Sequence, residues 1–161
     1  MKKLWAIPIT LILVLIDYYT KYLTRIHLAD SPIVLIDGVF ELTFVKNTGA
    51  AFGLLKDKKW FFIAITIVFI AFAIAIIIKL NSNKRYIPFA LSIIFLTSGA
   101  IGNFIDRLTL GYVTDMLYFK LIDFPVFNVA DCYITCSVVF LAILILFVYK
   151  EDEPLFSKKD S

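Results

Sequence analysis

Four apolar runs organise this chain, at about 4–23, 60–78, 87–108 and 130–149. Each approaches the ~20 residues that a helix needs to cross a bilayer, so the pattern predicts four membrane-spanning helices. The connections differ. The segment 24–59 contains Ile33-Val34-Leu35-Ile36 and Phe40-Glu41-Leu42-Thr43-Phe44-Val45, which read as short strands, with the hairpin signal Asp37-Gly38 between them. A small sheet there would form a platform beside the membrane for an extended peptide; the plainer alternative is an ordered loop. Small residues follow, from Asn47-Thr48-Gly49 to Gly53. The tail 150–161 is charged, contains Pro154 and is expected to fray.

Composition supports a membrane protein. Hydrophobic residues make up 61% of the 161, and the mean hydropathy is +0.89. A soluble domain lies nearer ~45–50%. The length permits one domain. Lys2 and Lys3 before the first run imitate a signal peptide, but no small-residue cleavage site follows and the helix pattern continues through Asp17-Tyr18-Tyr19-Thr20-Lys21. The first helix is therefore expected to be retained. Four spans put both termini on one side, together with Lys79, Lys84, Arg85, Lys150, Lys158 and Lys159. The excess of basic residues near that face predicts cytoplasmic termini. A net charge of +3 without a basic stripe argues against a nucleic-acid partner. Cys132 and Cys136 share one helix face, which reads as packing. The single histidine, His27, excludes an HExxH zinc site and argues against a serine–histidine triad.

The carboxylates change the picture most. Asp17, Asp106, Asp115 and Asp131 fall inside or at the ends of the apolar runs. A charge at the centre of a span costs at least ~2.5–3.5 kcal/mol on insertion scales, which makes each a functional candidate. With a cytoplasmic N-terminus, Asp17 lies roughly 20 Å along the first helix, in the outer part of the bilayer. Asp17 and Lys21 are spaced i,i+4 with the acid first, the favourable order. Asn103, Asp106 and Arg107 share a face at the end of the third run, and Asn128 with Asp131 opens the fourth. All gather near one interface.

Asp115 and Asp131 flank a single short connection. Two carboxylates held close cannot both ionise easily, so one keeps a proton. The ionised member can take a proton from water while the other polarises a carbonyl, with no metal, cofactor or nucleophilic side chain. Asn128 as helix cap and the helix dipole would favour the ionised form at Asp131, leaving the proton on Asp115. From the residues alone, catalysis and helix capping both remain open for this pair, and spacing does not exclude Asp123. Asp106–Arg107 and Asp17–Lys21 read most simply as a structural polar network, and Asn47 with Gly49 as a turn.

Five blocks together resemble the bacterial lipoprotein signal peptidases, signal peptidase II, over nearly the whole chain. They are Asp17 to Lys21, Asn47 to Gly53, Gly102-Asn103-Phe104-Ile105-Asp106-Arg107, Val113-Thr114-Asp115, and Phe127-Asn128-Val129-Ala130-Asp131. The resemblance implies an intramembrane aspartyl endopeptidase of the bacterial cytoplasmic membrane, with four helices and a small extracytoplasmic β-sheet cradle. Its active site would lie near the outer face. It would cut the signal peptide from a prolipoprotein, before a cysteine carrying diacylglycerol, within membrane lipid. Asp115 and Asp131 fall on the family's catalytic pair. Asp17, Lys21, Asn47, Gly49, Asn103, Asp106, Arg107, Asn128 and Ala130 supply the expected substrate-binding or supporting positions. Globomycin-type cyclic peptides are the expected inhibitors. Tyr18, Thr114, Met116 and Cys132 depart from the commoner family residues without removing a carboxylate. Two non-enzymatic readings compete. A small transporter would line a path with these charges, although no inverted repeat is visible. A scaffold subunit would use them to bind helices together. No GxGD or GxSG motif of other intramembrane proteases is present.

Overall fold

The computed structural model of the 161-residue chain describes residues 3–49, 58–149 and 155–156. Four long helices dominate: α1 (Ala6–His27), α2 (Lys59–Lys79), α3 (Ile87–Thr109) and α4 (Val129–Ile143). A π-helical turn, Leu144–Val148, extends α4. Among the described residues, four helical segments are long and apolar enough to cross a membrane. The predicted spans therefore hold, and the chain is a multi-pass membrane protein. α1 runs four residues past the predicted end at Leu23, because Thr24 and Arg25 are polar yet bonded within the protein. The Thr24 hydroxyl contacts Met116 Sδ at 3.3 Å, and Arg25 Nη1 donates to Thr114 Oγ1 at 2.9 Å.

α3 is the central helix and packs against α1, α2 and α4. Its small side chains allow close approach. A Cβ at Gly99 would collide with the Ala130 carbonyl of α4, and one at Gly102 would collide with the Asp17 carboxylate of α1. α2 is apolar on every side and buries only Ile63 and Ala73, so its surface is matched to lipid. At the end of the bundle where α3 begins, Ala73, Leu80, Tyr86, Phe89, Ala90, Ile93, Leu144 and Tyr149 form one apolar cluster.

The expected strands form as β1 (Ile33–Ile36) and β2 (Phe40–Asn47), joined through Gly38 at φ +67°. The cradle is not confined to the first outer loop, however. A third strand, β3 (Val113–Phe119), follows α3 and pairs antiparallel with β2, in the order β1-β2-β3. Asp115 lies on that strand, opposite Val45. Phe127 then pairs along the other edge of β3: the Met116 and Leu117 N–H groups donate to its carbonyl at 2.9 and 2.8 Å. The expected frayed tail is corrected at two residues. The Asn81 N–H donates to the Leu155 carbonyl at 2.9 Å, and Phe156 bridges to Leu80. The remainder of the tail and the segment 50–57, which includes Ala50 to Gly53 of the second block, lie outside the described residues.

Candidate active site

The site grows from the start of α4. Asn128 is the N-cap, with extended backbone at φ −132° and ψ 179°. Its side-chain oxygen accepts from the Asp131 N–H at 3.0 Å, and Asp131 Oδ2 accepts from the Asn128 N–H at 3.1 Å. This reciprocal capping box holds Asp131 in the first helical turn, where the dipole favours a negative charge. The same Asn128 reaches the other carboxylate. Its Nδ2 donates to Asp115 Oδ1 at 2.6 Å. One asparagine thus links Asp115 to Asp131, and this is what brings the two together from different elements.

Two further asparagines complete the ring. Asn47, at the end of β2, donates from Nδ2 to Asp115 Oδ2 at 2.9 Å, and its oxygen accepts from the Gly49 N–H at 3.0 Å. Asn103, on α3, donates from Nδ2 to Asp131 Oδ1 at 2.8 Å, and its oxygen accepts from Lys21 Nζ at 2.8 Å. In all three amides the oxygen end meets a group that can only donate, a backbone N–H or an ammonium. The NH2 end is thereby forced toward a carboxylate. Both aspartates are addressed by donors alone, which orients them without neutralising them.

Behind this ring lies a buried ionic layer. Asp17, Lys21, Asp106, Thr114, Asp115 and Asn128 are almost fully excluded from solvent. Lys21 Nζ lies 2.8 Å from Asp17 Oδ2 and 3.9 Å from Asp106 Oδ2. Asp17 Oδ1 accepts from the Ala130 N–H at 2.9 Å, tying α1 to the first turn of α4. Asp106 Oδ2 accepts from the Thr114 N–H at 2.9 Å, which fixes the backbone beside Asp115. Buried charges require such complete pairing, because an ion left alone in a low-dielectric interior is very costly.

Burial pushes the Asp115 carboxyl up to about 6; the hydrogen bond from Asn47 opposes this, and the charge of Asp131 adds to it. Asp115 and Asp131 line a cavity of about 1030 Å³ together with Asn47, Gly49, Asn103 and Arg107. Arg107 donates to the Gly49 carbonyl at 3.3 Å, and its guanidinium lies 4.6 Å from the centre of the Phe62 ring. The cavity continues between α2, α3 and α4, past Thr66, Ala100, Cys132, Thr135 and Cys136. The cysteines, read from sequence as packing residues, are instead lining residues: Cys132 is half-buried and Cys136 exposed. A second cleft, of about 650 Å³ between α1, α2 and α3, has no ionisable lining residue.

Every sequence-selected site residue enters one connected network. Asp123 does not: it is exposed at φ +47° and accepts from the Tyr118 hydroxyl at 2.6 Å. Sequence reasoning missed Arg25, which lies 3.7 Å from Asp106 and bonds Thr114. The i,i+4 series Asp17, Lys21, Arg25 was the available signal. It also missed Gly99, whose role depends on a neighbour in α4.

The sequence and the fold have counterparts among known proteins. The chain is similar to lipoprotein signal peptidases of Streptococcus pyogenes serotype M6, with 39% identity over 157 residues and 95% and 98% of the two chains covered. A Streptococcus thermophilus lipoprotein signal peptidase is 40% identical over 149 residues, covering 91% of this chain and 94% of its own. Among solved structures, a bacterial membrane enzyme determined by the in meso method at 2.3 Å superposes with a TM-score of 0.78 at 33% identity, over 92% of this chain and 93% of that one. The family model described as signal peptidase (SPase) II matches residues 9–147, from early in α1 to the closing turn of α4. Since that match takes in all four helices, all three strands and both aspartates, the chain belongs to the signal peptidase II family of membrane peptidases.

Proposed function

We propose that the chain is an intramembrane aspartyl endopeptidase that removes the signal peptide from prolipoproteins, cutting before a diacylglyceryl-modified cysteine. The carrying observation is the Asn128 bridge, which donates to Asp115 and caps the turn that holds Asp131. Water placed between the two carboxylates loses a proton to the ionised one as its oxygen attacks the scissile carbonyl carbon. The protonated one gives its proton toward the carbonyl oxygen. Collapse of the tetrahedral intermediate breaks the C–N bond, and a proton returns to the leaving amine. Asp115, raised by burial, suits the proton-holding role, and Asp131, at the helix N-terminus, suits the ionised one.

Asn47, Asn103 and Asn128 aim the carboxylates, and Arg107 with Gly49 faces the substrate from the cavity wall. Asp17, Lys21, Asp106 and Ala130 hold the frame. The apolar arm of the cavity accepts the signal peptide, while the diacylglyceryl chains stay in lipid and fix the depth of the cysteine. Binding energy remote from the reacting bond then positions that bond. The chain works as a single domain of the bacterial cytoplasmic membrane, with cytoplasmic termini and an outward-facing site that globomycin-type cyclic peptides would occupy.

Purified protein in detergent, given a diacylglyceryl-modified prolipoprotein, tests this by gel shift. Wild type cleaves before the modified cysteine, and Asp115→Asn and Asp131→Asn do not. Folded wild type that leaves the substrate intact, or variants that both still cut, would sink the dyad.

A further inference from the structure

β2 is twice as long as β1, eight residues against four, and the mismatch leaves part of β2 without a strand neighbour on one side among the described residues. β1 pairs only with Phe40, Glu41 and Leu42. On its other side β2 stays paired with β3 as far as Asn47. From Thr43 to Asn47, therefore, β2 has no strand partner on the β1 side among the described residues. In an antiparallel pair, a residue either exchanges both backbone bonds with its opposite number or turns both groups away. Thr114, opposite Lys46, gives its N–H to Asp106 on the far side of β3. The Thr114–Lys46 pair is thus a non-hydrogen-bonded one, and Lys46 turns its own N–H and C=O to the open edge. Val45 and Lys46 are exposed.

An unpaired edge is a template for another extended chain. This one runs straight into the catalytic cavity, whose lining includes Val45, Lys46, Asn47 and Gly49 beside both aspartates. We propose that the open edge of β2 binds the extended stretch of substrate just beyond the scissile bond, which adds as an antiparallel strand through backbone bonds to Lys46. The proposal rests on the peptidase reading above.

Direction and room both agree. β2 runs toward the dyad, since Asn47 at its end bonds Asp115. A segment leaving the dyad outward therefore runs against β2, in line with β1, which begins opposite Leu42. The space takes about four residues at ~3.4 Å each before Ile33 is reached. On the other side of the scissile bond, the signal peptide leaves by the arm of the cavity at Thr66, Ala100 and Thr135. Main-chain pairing supplies affinity without reading side chains, so it accommodates mature sequences of many kinds.

Two measurements on the wild-type enzyme test this. In the first, a lipid-modified prolipoprotein peptide carries an N-methyl group at each successive backbone nitrogen after the cysteine. Strand addition predicts alternation: KM rises by about 3- to 10-fold at every second position with kcat retained, the size of one net hydrogen bond. In the second, a peptide with a reduced, uncleavable scissile bond is bound, and the Lys46 amide is expected to exchange at least ~10-fold more slowly with solvent. Val45 and Asn47, already bonded into β3, change little. Absence of the alternation, or unchanged exchange at Lys46, would overturn the edge proposal while leaving the peptidase reading intact. If wild type fails to cleave the lipid-modified peptide that carries no N-methyl group, the peptidase reading falls, and this inference with it.

Discussion

The two halves of α3 hold the molecule together by opposite means. Its first turns bury Phe89, Ala90 and Ile93 against Tyr86, Leu144 and Tyr149. Its last turns bury Gly102, Asn103 and Asp106 against Asp17, Lys21 and Thr114. The apolar half gains from contact area and dispersion, which many side-chain shapes can supply. In the polar half each group has a required partner at a required angle, and a missing partner leaves an orphan in a low-dielectric site. One helix thus carries a region that tolerates change and a region that does not. The intolerant one is where the carboxylates meet.

The sharpest way to break the contrast is Asn128→Ala. It removes the amide between Asp115 and Asp131, and kcat should fall by roughly 10²–10³-fold, the scale of losing a preorganised donor. Stability should fall as well, by about 1 kcal/mol for the lost cap and about 1–3 kcal/mol for the Asp115 oxygen left without its donor. A variant that keeps more than a third of wild-type kcat would show that the bridge is incidental. Next in size is Lys21→Met, which removes the ammonium from between the Asp17 and Asp106 carboxylates and leaves the Asn103 oxygen with Asn128 Nδ2 alone, at 3.2 Å. Breaking a buried pair on one side costs about 3–5 kcal/mol, read as a clearly lowered Tm in detergent. An unchanged Tm would mean that the layer is hydrated.

Smaller is the pH response of Asp115. Its folded value of about 6 lies above the usual 3.8, so the folded state binds the proton more tightly than the unfolded state. Stability should therefore fall as pH rises from about 4 to about 6 and level off above that. Asp115→Asn should flatten the profile over that window, and an identical profile in the variant would remove Asp115 as its source. At the apolar end, Phe89→Leu should cost about 1 kcal/mol and leave kcat within about twofold, because hydrophobic replacements of similar size repack. A large loss of kcat there would erase the distinction between the two halves.

Much of this was legible in the chain. Span positions follow from the length of apolar runs, and the Asp17–Lys21 pair and the Asn128 cap follow from spacing along one helix. β3 was not legible as a strand. Val113 to Met116 is buried at four successive residues, so the alternation that marks a half-exposed strand is missing. The end of α1 was placed early for a related reason: Thr24 and Arg25 look like an exit from the membrane until Met116 and Thr114, about 90 residues on, are found to receive them.

The sequence by itself determined four spans, two candidate catalytic aspartates and a set of polar residues at one depth. Length, hydropathy and helical spacing are local properties of a chain and suffice for the spans and the polar set, while the choice of Asp115 and Asp131 as the pair also drew on the family resemblance. Only the tertiary structure decided which amide faces which carboxylate, that β3 carries Asp115, that Asp123 stands aside and that β2 keeps an edge unpaired among the described residues. Each of those depends on partners from separate elements, and an asparagine has no preferred direction until a donor-only neighbour takes its oxygen.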